Sequence, residues 1–200
     1  QSARTISEEL AEQWRMIYPN TQLRLHANAR VLPHHVLWDV SSWSAETRFY
    51  FEALADRMQR LGARTISCHA GYQDQCSAEK MWDNLARIQD CMAASTQGQV
   101  EVAVEGLYPS RHRAQLLSCW SDYEELLRQH VPFAVDLSHL NIVAQHEKHW
   151  DMDVVRALLL SSACREIHVS DNDGRADRHA PTTHAPQWWA LLQECAPLWG

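Results

Sequence analysis

The feature that most constrains the fold of this chain is a repeated alternation of short strand-like and longer helix-like segments. Aliphatic residues with period-two spacing predict strands at 23–29, 64–71, 101–106, 133–140 and 165–169. Amphipathic spacing and capping signals predict helices at 7–17, 45–61, 77–94, 113–129, 151–162 and 187–194. Strands and helices that alternate in this way predict an α/β fold with a parallel sheet covered by helices.

The spacing of the strands favours a (β/α) TIM-type barrel. One ligand-type residue lies near the C-terminal end of each predicted strand, and these residues are His26, His69, Glu105, Asp136 and His168. They are separated by 43, 36, 31 and 32 residues, which is close to the roughly 31 residues per βα unit of a TIM barrel. The sequence has no GxGxxG loop, the fingerprint of a dinucleotide-binding fold.

Five predicted strands are fewer than the eight of a closed barrel. We therefore predict one incomplete TIM-barrel-like metal-binding domain over residues 1–200. An open sheet leaves unpaired backbone groups at both edges. We expect residues outside this sequence, a partner segment or a second copy in a homo-oligomer to close it.

Side-chain parity along the strands predicts a metal site. Glu105 alternates with Val102 and Val104, and Glu166 and His168 share one face of the fifth strand. In a barrel these polar faces converge on the interior, and functional sites lie at its C-terminal mouth. A single histidine or aspartate at a strand end is usually structural. Several of them crowded together would be unfavourable by several kcal/mol unless a cation compensates.

The stretch REIHVSDNDGRADRH, residues 165–179, adds candidate ligands after the fifth strand. Asp177 and His179 are two residues apart, so an extended segment would direct both side chains towards one ion. Asn172 and Gly174 are typical of the turn that would bring them back to His168. The alternative is a solvated turn or a weak calcium loop, although the order of residues is not that of an EF-hand.

The ordered motifs LHAN, CHAG, VEG, DLSH, IHVSD and DRH resemble those of the xylose isomerase-like TIM barrels. This superfamily includes sugar-phosphate isomerases and epimerases and endonuclease IV, and the resemblance extends over nearly the whole chain. It implies eight metal ligands, namely His26, His69, Glu105, Asp136, His139, His168, Asp177 and His179. Such a set suits two or three divalent ions of zinc, manganese or iron. The glutamate of the family's last strand has no counterpart here.

The resemblance implies an enzyme whose catalytic residues are Glu105, Asp136 and His168. The leading prediction is an isomerase or epimerase of a sugar, a sugar phosphate or a related hydroxy-carbonyl compound, with Glu105 moving a proton. A multi-metal phosphoester hydrolase like endonuclease IV is the first alternative. An iron-dependent peptide-modifying oxygenase and an inactive scaffold barrel are the others.

Composition and charge limit the partners. The net charge of −7 and the lack of a Lys/Arg run disfavour nucleic acid, so a small-molecule substrate is expected. No apolar run approaches the length of a membrane span, no signal peptide is visible, and the six cysteines contain no CxxC pair. We therefore expect a cytoplasmic protein with reduced thiols and no membrane partner. Candidate substrate-binding residues near the barrel mouth are His34, Arg30, Arg175 and Arg178.

Overall fold

Helices and strands alternate along the chain, as the sequence predicts. A computed structural model describes residues 5–26, 29–33 and 38–196. The strands are β1 (Leu25–His26), β2 (Thr65–His69), β3 (Glu101–Glu105), β4 (Phe133–Asp136) and β5 (Cys164–His168). The helices are α1 (Glu8–Ile17), α2 (Ala45–Leu61), α3 (Ala78–Thr96), α4 (Trp120–Gln129), α5 (Leu137–Glu147), α6 (Met152–Leu160) and α7 (Trp189–Cys195).

The strands form one sheet in the sequential order β1-β2-β3-β4-β5. Parallel pairing aligns His26 with Ser67, Glu105 with Ala134, and Asp136 with His168. A sequential parallel order is that of successive strands in a TIM barrel, and the predicted α/β class is confirmed. Because parallel strands end at the same edge of a sheet, β4 and β5 bring Asp136 and His168 next to each other.

Residue contacts divide the chain into two compact units, which are described separately. The first unit comprises Gln1–His69 and Gln75–Ala103. Its helices α2 and α3 pack against each other. Their fully buried side chains include Phe51, Leu54, Met58, Met81, Leu85 and Ile88. Burying each such side chain contributes roughly 1.5–3 kcal/mol, so this layer forms a core.

The second unit comprises Ala70–Asp74 and Val104–Gly200. All four residues of β4 are buried, and so are Leu158 and Leu159 of α6. Helix α6 packs against α4 and α7, and Trp188 at the start of α7 is 1% exposed. The continuous apolar run of β4 is typical of a parallel strand covered on both faces.

Helix ends agree with the capping signals of the sequence. The hydroxyls of Ser7 and Ser77 accept hydrogen bonds from the backbone N–H of Leu10 and Lys80, respectively, and cap α1 and α3. Gly62 ends α2 with a φ of 67°, a left-handed conformation that glycine adopts without a steric penalty.

Two predicted boundaries are wrong by four residues or more, and α5 lies where no helix was predicted. The strand predicted at 133–140 ends at Asp136, and α5 begins at the next residue. The Asp136 carboxylate accepts hydrogen bonds from the backbone N–H of Ser138, at 2.7 Å, and of His139, at 3.3 Å. It therefore caps α5, and this cap turns the chain out of the sheet.

The helix predicted at 113–129 begins only at Trp120. The preceding backbone pairs with the segment Ala70–Asp74, because Leu116 N–H donates to the Gly71 carbonyl and Gln73 N–H donates to the Ala114 carbonyl. These hydrogen bonds replace the ones that an additional helical turn would make.

No helix of the described residues has both the length and the apolar composition needed to cross a membrane. All six cysteines lie within the described ranges, and each is a free thiol.

Candidate metal centre

Three buried ligand-type side chains meet at the C-terminal ends of β3 and β4, in the second unit. Glu105 ends β3, Asp136 ends β4, and His139 lies in the first turn of α5. His139 Nδ1 is 3.8 Å from Glu105 Oε1, and His139 Nε2 is 3.7 Å from Asp136 Oδ2. One ligand atom from each residue lies within 4.8 Å of the other two. This spacing allows the three side chains to close around a single cation.

His168 ends β5 and lies beside the same carboxylate. Its Nδ1 is 3.2 Å from Glu105 Oε1, and its Nε2 is 3.1 Å from Glu166 Oε2. Glu105 thus lies beside both His139 and His168.

The loop after β5 returns to this cluster. Asp171 and Ala180 exchange two backbone hydrogen bonds of 2.8 and 3.1 Å, which closes the loop. Within it, Asp177 Oδ2 lies 3.3 Å from His139 Nε2 and 3.1 Å from His179 Nε2. Asp177 therefore links His139 of the cluster to His179 of the loop.

The turn predicted at Asn172 and Gly174 is confirmed. The Asn172 side chain donates a 2.8 Å hydrogen bond to the Ser138 carbonyl and accepts one of 2.8 Å from Gly174 N–H. Gly174 has a φ of 73°, which favours glycine. The extended geometry predicted for the end of the loop is wrong, because His179 has a φ of 46°. A left-handed residue, and not strand-like alternation, brings His179 to Asp177.

A buried main-chain carbonyl fixes the orientation of His139. His139 Nδ1 is 2.9 Å from the Gly106 carbonyl, which can only accept, so Nδ1 carries a proton and Nε2 faces the carboxylates of Asp136 and Asp177. Gly106 is held in turn by Tyr123 of α4. The Tyr123 hydroxyl donates to the Leu107 carbonyl at 2.7 Å, and a Cβ on Gly106 would lie 2.4 Å from the Tyr123 ring. Only glycine fits this close approach.

The carboxylates strongly favour protonated imidazoles. Burial lowers the pKa of His139, but the hydrogen bond with Asp177 and the charges of Asp136 and Glu105 outweigh it and raise the pKa to about 9. Burial also lowers the pKa of His168, and hydrogen bonds with Glu105 and Glu166 raise it to about 10. A divalent cation could replace the two imidazolium protons, because metal binding releases protons from its ligands.

Two residues of this region were missed as site residues by sequence reasoning. Glu166 contacts His168, and the period-two alternation of β5 did place both on one face. Tyr108 is half-buried, and the centre of its ring is 4.8 Å from that of His139. Burial, followed by the charge of Asp177, raises the pKa of Tyr108. No pattern in the sequence marks Tyr108, because its position depends on the loop before α4.

The other two predicted ligands lie in the first unit. His26 ends β1 and His69 ends β2, and the centres of their rings are 5.3 Å apart in an edge-to-face arrangement. Parallel pairing of β1 with β2 therefore brings these two imidazoles together at one strand end.

The predicted substrate-binding residues belong to both units. Arg175 and Arg178 are exposed, and Arg178 pairs with Asp173 at 3.1 Å. Arg30, in the first unit, donates to the Pro33 carbonyl at 3.0 Å. His34 lies outside the described residues. A substrate role for these residues stays a prediction.

Comparison with solved structures gives the same fold. A xylose isomerase domain containing protein from Salmonella typhimurium LT2 has a TM-score of 0.64 and 16% identity, with 96% of this chain and 68% of that structure covered. A D-tagatose 3-epimerase-like protein has a TM-score of 0.59 and 17% identity, with 86% of this chain and 64% of that structure covered. An AP endonuclease of family 2 from Brucella melitensis has a TM-score of 0.59 and 12% identity, with 94% of this chain and 73% of that structure covered. The chain thus spans about two thirds of the length of these structures.

Comparison with curated proteins gives no significant match. The model of one protein family, described as xylose isomerase-like TIM barrel, matches residues 7–193. This match includes β1 to β5 and all the candidate ligands of both units. The chain belongs to the xylose isomerase-like TIM barrel family.

Proposed function

We propose that this chain is a divalent-metal-dependent isomerase or epimerase of a sugar, a sugar phosphate or a related hydroxy-carbonyl compound. The observation that carries the proposal is the buried cluster of Glu105, Asp136 and His139 with His168 beside it. Two buried carboxylates and two imidazoles within a few ångströms form a donor set for zinc, manganese or iron. The epimerases among the structural neighbours support this class of chemistry.

Some of these residues would bind the metal ion, and Glu105 would transfer the proton. Asp136, His139 and His168, with one oxygen of Glu105, would hold the ion, which when bound would polarise substrate oxygens. Glu105 lies between the two histidines and is 1% exposed, and its second oxygen would act as the base. In the proposed isomerisation Glu105 takes a proton from the carbon next to the carbonyl and returns it to the neighbouring carbon on the same face. Epimerisation at one carbon would need a second group, on the opposite face, to donate the proton.

The proposal is tested first by metal content and then by solvent exchange. Elemental analysis of the purified protein should give more than one transition-metal ion per chain. Incubation with ketohexoses, aldohexoses and their phosphates in D2O should introduce deuterium at the carbon next to the carbonyl, because the abstracted proton exchanges with solvent. A protein that neither contains nor takes up a transition metal, or a metal-loaded protein without such exchange, would contradict the proposal.

A phosphoester hydrolase is the second candidate, and the group of His139, Asp177 and His179 favours it. The Asp177 carboxylate, which contacts both histidines, could help to hold a second ion, and two ions suit the activation of water and the stabilisation of a leaving oxygen. An AP endonuclease of family 2 is among the structural neighbours, whereas the net charge of −7 disfavours a DNA substrate. Cleavage of an abasic-site duplex or of a small phosphodiester, without deuterium exchange into sugars, would select this candidate.

A further inference from the structure

Glu166 is a buried carboxylate that the proposed chemistry does not use. It lies on β5 two residues before His168, so both side chains are on the same face of the strand. Its side chain is 8% exposed, and its Oε2 is 3.1 Å from His168 Nε2. Burial of a carboxylate is unfavourable unless a donor compensates for the lost water. The His168 ring supplies such a donor.

The His168 ring lies between two carboxylates that face different nitrogens. Glu105 faces Nδ1 at 3.2 Å, and Glu166 faces Nε2 at 3.1 Å. An ion shared by Glu105 and His168 requires Nδ1 without its proton. The remaining proton is then on Nε2, where Glu166 accepts it.

We propose that Glu166 is a positioning residue that holds the Nε2–H tautomer of His168 and directs Nδ1 towards the ion bound by Glu105. The inference rests on the proposed function, because it requires a metal at Glu105. A carboxylate that accepts from the non-ligating nitrogen of a histidine fixes the orientation of the ring and increases its basicity.

The two histidines of the centre differ in a way that supports this role. His139 is oriented by the carbonyl of Gly106, which is neutral and is fixed by the backbone. His168 is oriented by a charged side chain on its own strand. Removing the charge of Glu166 should therefore weaken metal binding through His168 without changing the orientation of His139.

The test compares Glu166→Gln with wild type in zinc titrations of the metal-free protein by calorimetry. Glu166→Gln keeps the size of the side chain and removes its charge, and we expect the affinity of at least one ion to fall 10–100-fold. Glu147→Gln is the matched control. Glu147 is also in the second unit, and its carboxylate accepts from Trp120 N–H at 3.1 Å at the start of α4. We expect Glu147→Gln to bind zinc as wild type does.

A second measurement needs no variant. Long-range proton–nitrogen NMR spectra of the zinc-loaded wild type should give His168 with its proton on Nε2 and the metal on Nδ1. Zinc bound through Nε2, or wild-type affinity in a folded Glu166→Gln variant, would overturn the inference while leaving the proposed function intact. Absence of binding of zinc, manganese and iron by wild type would overturn both.

Discussion

Replacement of Gly106 by alanine tests whether the backbone next to the candidate centre is as tightly packed as the structure indicates. A Cβ at this position would lie 2.4 Å from Tyr123 Cε1 and 2.6 Å from its Cζ, whereas ordinary contacts begin at 3.4 Å. The methyl group and the ring must therefore separate by about 1 Å. Tyr123 is 1% exposed and cannot swing into solvent, so the backbone at residue 106 has to move.

The expected cost follows from this overlap. Overpacking of a well-packed core destabilises by roughly 1–3 kcal/mol, which for a chain of this size lowers Tm by about 2–12 °C. Because the Gly106 carbonyl accepts the hydrogen bond from His139 Nδ1, the same movement should also weaken zinc binding. Chemical denaturation of the metal-free protein and zinc titration measure the two effects separately.

A double-mutant cycle isolates the cause. Tyr123→Leu removes the ring and its 2.7 Å hydrogen bond to the Leu107 carbonyl, so alone it should destabilise by about 2–4 kcal/mol. In that background Gly106→Ala should cost at least about 1 kcal/mol less than in wild type. Gly98→Ala is the control, because its Cβ would meet nothing within 4 Å while its φ of 75° is strained. It should lower stability and leave zinc affinity unchanged. A Gly106→Ala variant within about 0.5 kcal/mol of wild type, or strictly additive substitutions, would refute the packing argument.

Three further predictions concern the charges and ligands of the centre. The pKa is about 9 for His139 and about 10 for His168, above the ordinary 6.5. Protonation of these histidines therefore stabilises the folded state fully below pH 6.5, and this contribution to the unfolding free energy is lost as the pH rises through 9 and 10. Denaturation of the metal-free protein should therefore show a loss of roughly 3 kcal/mol for His139 by about pH 10.5, and a flat profile would contradict this. His168→Ala should abolish activity and leave the circular dichroism spectrum native. Val104→Asp should unfold the chain, because Val104 is 0% exposed. Equal unfolding of the two variants would show that His168 has a structural role. Chelation of the bound metal should abolish activity, and zinc, manganese or iron should restore it, whereas chelator-resistant activity would exclude a role for the ion.

The strands and their polar ends could be predicted from the sequence because both depend on short-range periodicity. Val102 and Val104 alternate with Glu105 over a few residues, and the parallel sheet then brings the strand ends together without further information. The meeting of Asp177 with His139 was also predictable in outline, because Asn172 and Gly174 mark a turn in a loop too short to extend far from β5.

Contacts that depend on tertiary packing were not predictable. Apolar residues alternate from Phe133 through Val135 to Leu137, so the period of a strand extends past Asp136 and hides the start of α5. Gly106 carries no sequence signal of its role, because its need for glycine comes from Tyr123, which is 17 residues further along the chain. Tyr108 reaches His139 only because the segment before α4 pairs with Ala70–Asp74 instead of forming a helix.

Asp136 can have a structural and a functional role at the same time, because its two carboxylate oxygens have different partners. Its Oδ1 accepts from the backbone N–H groups of Ser138 and His139 and caps α5, whereas its Oδ2 is 3.7 Å from His139 Nε2. The cap ends β4 and places His139 in the first helical turn, facing back towards Asp136 itself. One oxygen therefore builds the local geometry, and the other remains directed at the cluster as a candidate ligand. Asp136→Asn should consequently retain much of the cap, because asparagine is an equally good N-cap residue, and should lose metal affinity. Asp136→Ala should lose both, with an additional cost of about 1 kcal/mol in unfolding free energy. Equal metal affinity of the Asp136→Asn variant and wild type would leave the aspartate with its capping role alone.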